Sequence, residues 1–145
     1  MKNETIEIAL SQYGVTEIVG QGHNPVILNY FKEIGHQWVT TDETAWCSAF
    51  ANWVALKACL ERSDALHARS WLKIGESTKD PQIGDVVVYW RESPNSWKGH
   101  VGFFIGYSED KKHIHTLGGN QSNMVCIKPY AAHRLLDFRT LSKVA

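Results

Sequence analysis

One thiol and one imidazole in this chain stand where nucleophilic chemistry needs them. Cys47 opens a helical pattern in which Trp46, Phe50, Trp53 and Val54 recur at helical spacing. With Thr44 as N-cap, Cys47 falls at the third helical position. Unpaired N–H groups and the positive end of the helix dipole stabilise an anion there, so the thiol pKa is expected to fall. Ser48, Ala49 and Ala51 are small and allow close approach by chain or substrate. The bland alternative is a buried structural cysteine. His100 follows Gly99 at the head of an alternating run in which Val101, Phe103 and Ile105 form the core face. His100 then projects from the opposite face, within reach of a helix N-terminus. A thiolate paired with an imidazole is a nucleophile with its general base and acid. Taken alone, His100 reads first as a satisfied strand-edge residue.

A third group must orient the imidazole through its other ring nitrogen. Two candidates lie on the return strand, His115 and Asn120. A hairpin centred on Glu109-Asp110 pairs positions that sum to about 219–220. That register puts Asn120 opposite His100 and His115 opposite Phe104, about four residues of ~3.3 Å farther along. Geometry favours Asn120, and His115 stays in reserve, because a bulge at Gly118-Gly119 moves the register. Trp90 and Trp97 flank the polar loop before His100 and are expected, with Gln121, to contact substrate. Trp46 and Trp53 read as core. Cys59 and Cys126 read as small core residues. No Cys-x-x-Cys is present, and His113 and His115 have no third ligand nearby, so no metal or cofactor is expected.

The elements that position these groups follow from the pattern. Ile6, Ala9 and Leu10 mark a first helix, stopped at Tyr13-Gly14. Asn24-Pro25 starts a second, carried by Val26, Ile27, Tyr30, Phe31 and Ile34 up to Gly35. The Cys47 helix is the third, and a short apolar segment follows at 68–74. Then Val86–Trp90, His100–Tyr107, His113–Leu117, Met124–Ile127 and Leu135–Arg139 read as strands. Helices followed by an antiparallel sheet make an α+β domain, with residues 1–145 as one unit.

In 145 residues, 15 Lys and Arg balance 15 Asp and Glu. That neutrality argues against a nucleic-acid binder. Residues 1–46 carry −4 and the rest +4; this reads first as chance surface composition, and otherwise as a basic part, holding every candidate catalytic residue, that favours anionic wall peptides. No apolar run approaches the ~20 residues of a membrane span, and the N-terminus lacks the pattern of a secretory signal. Membrane insertion is not expected.

The ordered segments Gly20–Pro25, Glu43–Trp53, Ala68–Leu72, Gly84–Val88, Gly99–Gly106 and Leu117–Gln121 resemble the papain-like peptidoglycan-cleaving cysteine peptidases and amidases of the NlpC and CHAP types. The likeness is to short, phage-endolysin-like single-domain members. It implies a papain-like fold, Cys47 as nucleophile, His100 as base, and an amide in bacterial stem peptide or muropeptide as target. An oxyanion hole would use the Cys47 N–H and a second donor that the sequence does not reveal. NlpC-type enzymes usually place a His on the return strand, which Ile114-His115 resembles. CHAP-type enzymes typically place an acid two positions before an Asn; here Gly118 precedes Asn120, so the acid is missing. The lack of a signal pattern points to synthesis in the cytoplasm. The resemblance suggests action on the wall after holin-dependent release, and an effector with an immunity protein would look alike; a monomer is expected. The rivals are a degenerate module that binds wall fragments and a cysteine transferase or deamidase acting on protein.

Overall fold

The computed structural model describes residues 2–18, 22–40 and 45–144. The chain is α+β, as the pattern predicts. Three helices, α1 (Lys2–Leu10), α2 (Pro25–Glu33) and α3 (Cys47–Lys57), come first, then a 3-10 turn at Ala68–Lys73. Six strands follow: β1 (Glu76–Thr78), β2 (Val86–Trp90), β3 (Gly99–Tyr107), β4 (His113–Gln121), β5 (Met124–Ala131) and β6 (Leu135–Thr140). They form one antiparallel sheet in the order β1-β6-β2-β3-β4-β5. The short β1 is absent from the sequence expectation. It is held only by pairing Glu76–Thr78 against Phe138–Thr140 of β6, a long-range contact that leaves no periodic trace.

Local chemistry sets the helix ends. The Asn24 side chain accepts from the Val26 N–H at 2.8 Å, and Pro25 takes the first position, where a missing N–H costs nothing. In α3 the structure corrects the expected phase. Trp46 is the N-cap, without a side-chain cap bond, and Cys47 is the first helical residue rather than the third. Thr44 lies outside the described residues.

The pleat of β3 sorts side chains onto two faces. Val101 and Phe103 join Val86, Val88 and Leu117 beneath α2 and α3. Ile105 packs against the same cluster. On the other face Phe104 joins Val87, Tyr89, Ile114 and Phe138 in a smaller cluster. Trp46, Phe50, Trp53 and Val54 are all buried, as their spacing requires. A β-bulge between Phe104 and Gly106 pairs His115 with Gly106 instead of Phe104. Nearer the site, Phe103 pairs with Leu117 and Phe104 with Thr116, sums of 220 as expected.

Candidate active site

One end of the sheet gathers the end of β2, the start of β3, the end of β4 and the N-terminus of α3. Tyr89 pairs with His100 and Trp90 with Gly99. The position of α3 is fixed by buried polar groups. Ser48 donates to the Ala65 carbonyl at 2.6 Å and accepts from the Trp71 indole at 3.0 Å. Asn52 donates to the Ala65 carbonyl and Ser63 hydroxyl and accepts from the Asp64 N–H. These buried bonds are strong in a low-dielectric setting and tie the Cys47 helix to the segment beneath the sheet end.

Cys47 is 7% exposed. Burial pushes its thiol pKa up, against the N–H groups of Val101, Ser48 and Cys47 itself and the charge of Arg91. The helix N-terminus therefore acts in the expected direction, but desolvation outweighs it, and the expected net fall in pKa is corrected. At neutral pH the sulfur keeps its proton.

His100 is 5% exposed, stacked on Tyr130 at 4.9 Å and on Tyr89 at 6.4 Å. Its Nε2 lies 2.9 Å from Gln121 Oε1. The Gln121 amide nitrogen donates to the carbonyls of Thr116 (3.0 Å) and Cys126 (2.7 Å). That fixes which end of the amide faces the ring, so Oε1 accepts and Nε2 carries the proton. The lone pair is then on Nδ1. Burial pushes the imidazole pKa down to about 4, against the Gln121 hydrogen bond and with Arg91 and Lys128 adding to the fall. The ring is a neutral base over most of the pH range.

The orienting group is thus Gln121, where the sequence points to Asn120. The reason is local. Asn120 has φ +58, and the β4–β5 register slips between Gly118 and Gln121. A left-handed residue in a bulge breaks the alternation and turns the next side chain onto the imidazole face. Gln121, 1% exposed, lines the cavity at His100 with both ends of its amide engaged, by the ring and by two carbonyls. The missing acid is explained by the same packing. A Cβ at Gly118 would lie 2.6 Å from Gln121 Oε1, so the glutamine occupies the space a side chain there would need. A Cβ at Gly119 would meet the Trp46 ring at 2.7 Å, so that glycine lets α3 sit against β4.

Two adjoining cavities open at this end. One, of about 300 Å³, is lined by His100, Tyr130, Trp90 and Gln121; the other, of about 440 Å³, by Cys47, His67 and Trp97. Asn120, Arg91 and Arg134 line both. Asn120 therefore belongs to the wall between thiol and imidazole rather than to the ring's hydrogen bonding. Trp90 and Trp97 line different cavities. His115, paired with Gly106, sits six residues from His100 along β3, or about 20 Å at ~3.3 Å each, and lines neither. Among the described residues no hydrogen bond joins Cys47 to His100, and no group of three or more His, Cys, Asp or Glu is arranged to hold a metal.

Arg69 escapes a sequence reading. It donates to the carbonyls of Lys98 (2.8 Å), Pro94 (2.9 Å) and Ser93 (3.0 Å), clamping the loop that carries Trp97. A basic residue in a short helical turn has no pattern that reveals such a contact.

The family profile of the CHAP domain matches residues 39–120, more than half of the chain. The chain belongs to the CHAP family, whose members are in general cysteine- and histidine-dependent hydrolases of peptidoglycan, and the α+β architecture agrees with that fold. Comparison with curated proteins and with solved structures returned no match. No helix among the described residues is long and apolar enough to cross a membrane.

Proposed function

We propose that the chain hydrolyses an amide in bacterial wall peptide with Cys47 as nucleophile and His100 as acid and base. The observation that carries this reading is the tautomer set by Gln121. It leaves a neutral imidazole with Nδ1 free, beside a cavity that adjoins the one holding the only cysteine at a helix start. Substrate filling both cavities brings the two groups together. Nδ1 takes the thiol proton as sulfur bonds to the carbonyl carbon, and the oxyanion meets the Cys47 N–H and the Asn120 amide. The imidazolium then gives its proton to the leaving amine, and the C–N bond breaks to leave a thioester. Water, losing a proton to Nδ1, attacks the thioester and releases acid and thiol. No metal or cofactor enters these steps.

The reading is specific enough to include a monomer acting on the wall as a phage or prophage endolysin released by a holin, or as a lytic effector countered by an immunity protein. Supporting it is the family. The test is mass spectrometry of muropeptides after digestion of sacculi in ¹⁸O-water. One new amine and one carboxyl carrying ¹⁸O are expected. The terminus formed separates an amidase, which frees the first alanine from lactoyl, from an endopeptidase. A wall-fragment binding module is the second reading, favoured by the protonated thiol and the lack of a Cys47–His100 hydrogen bond. Unchanged muropeptides after prolonged incubation decide for it.

A further inference from the structure

The wall shared by the two cavities carries positive charge that no described carboxylate pairs with. Arg91 and Arg134 line both cavities, and Lys128 lines the one at His100. Elsewhere, Lys57 pairs with Glu33, Arg62 with Asp64, Lys98 with Glu92, Arg139 with Asp137 and Lys143 with Glu4. Among the described residues neither Arg91, Arg134 nor Lys128 forms an ion pair, and Lys128 donates only to the Ser122 hydroxyl at 3.2 Å. Among the described residues lining either cavity Glu92 is the one carboxylate, and Lys98 already holds it at 2.8 Å. The Arg134 guanidinium lies over the Trp90 ring, 5.0 Å from its centroid. Among the described residues the Arg134 side chain donates no hydrogen bond, so its N–H groups are available to an acceptor. Arg91 is close enough for its charge to act on Cys47, His100 and Tyr130 together.

We propose that Arg91 and Arg134 form a carboxylate clamp that holds a free carboxylate of the peptide substrate beside the amide to be cut. The substrate class comes from the proposed hydrolase reading; the clamp itself is a binding site and is read by binding. A planar guanidinium matches a carboxylate with two parallel hydrogen bonds, and two such groups at the wall between thiol and imidazole fix where the neighbouring carbonyl lies. Lys128, with a compact charge at the far rim, adds attraction without that geometry. The chain therefore prefers peptides that carry an acidic residue or a free terminal carboxylate next to the scissile bond over peptides amidated at that position.

The experiment uses Cys47→Ala protein, which binds without turnover. A synthetic wall stem peptide with free carboxylates and the same peptide amidated are titrated by calorimetry. The free acid is expected to bind at least about tenfold more tightly, the size of a lost charge-assisted hydrogen bond. Arg91→Gln and Arg134→Gln, with folding checked by circular dichroism, should each erase most of that preference and leave the amidated peptide's affinity as it was. Arg91→Lys should keep the charge and still lose most of the preference. Equal affinity for the two peptides, no binding of either, or a preference that survives Arg91→Gln/Arg134→Gln overturns the clamp. Wild-type hydrolysis of sacculi is scored separately. A carboxylate preference without turnover keeps the clamp and sinks the hydrolase reading; turnover without a preference does the reverse.

Discussion

Cys47 is held by main-chain donors on the helix side of the sheet, whereas His100 is held by a side chain on the other side. The N–H groups of Val101 and Ser48 that face the sulfur belong to the backbone and survive any substitution that keeps the fold. The imidazole depends on one glutamine amide, which in turn depends on two carbonyls and on the bare Cα of Gly118. The thiol side is therefore robust to mutation and the imidazole side fragile. Both groups are buried and neutral, so the ground state stores no thiolate–imidazolium pair.

The largest contrast is expected at Gln121. Gln121→Leu removes the partner of Nε2 and strands the Thr116 and Cys126 carbonyls, which costs roughly 1–3 kcal/mol of stability per buried group. It should also lower kcat by about 10²-fold, the lower range for losing an oriented acid–base group. Denaturant titration and hydrolysis kinetics check the two effects. Gln121→Glu puts a carboxylate against the ring and should raise the imidazole pKa. An unchanged kcat in Gln121→Leu would break the asymmetry between the two sides.

The pH dependence comes next. His100, held near pKa 4, is a base above that value, so the acid limb of kcat/KM should lie near pH 4 rather than near the ordinary 6.5. The Cys47 thiol, pushed up, holds the proton that the leaving amine needs, so the rate should stay level to the alkaline side and fall only as the thiol ionises. Stability carries the same signature. A folded pKa below the unfolded one makes the unfolded chain bind more protons between about pH 4 and 6.5. The His100 contribution is then complete above the unfolded pKa and is lost as pH falls through that window. Chemical denaturation at several pH values should show the slope, and His100→Gln should flatten it.

A smaller effect is expected at Arg69. Arg69→Ala frees the loop from Arg91 to Gly99 and should raise KM several-fold with a lesser change in kcat, because Cys47 and His100 are anchored elsewhere. The smallest is at Trp97, which is 73% exposed. Trp97→Ala should leave the melting temperature within about a degree and raise KM by about two- to threefold, as for a surface change that touches only ligand. A fall in kcat equal to the rise in KM would move Trp97 from the cavity wall into the chemistry.

The sequence made the thiol side easier to read than the imidazole side. Trp46, Phe50, Trp53 and Val54 state a helix through their period, and Asn24-Pro25 states another through its cap, because both signals are local. The strand alternation around His100 gives the two faces of β3 correctly. The choice between Asn120 and Gln121 is not local. It turns on a positive φ and a bulge against β5, which depend on pairing with residues that carry no turn signal. The phase of α3 and the sign of the Cys47 shift were equally hidden. Burial is set by the whole core, and a helix start alone does not reveal how much solvent remains there.

The central claim is that Cys47 and His100 together break a wall amide. The most direct measurement is the rate at which amines are released from purified sacculi by the wild type, Cys47→Ala and His100→Ala, with circular dichroism to confirm each fold. Steady release by the wild type and a loss of at least about 10³-fold in either variant are expected. No release by the wild type, or equal release by Cys47→Ala, contradicts it.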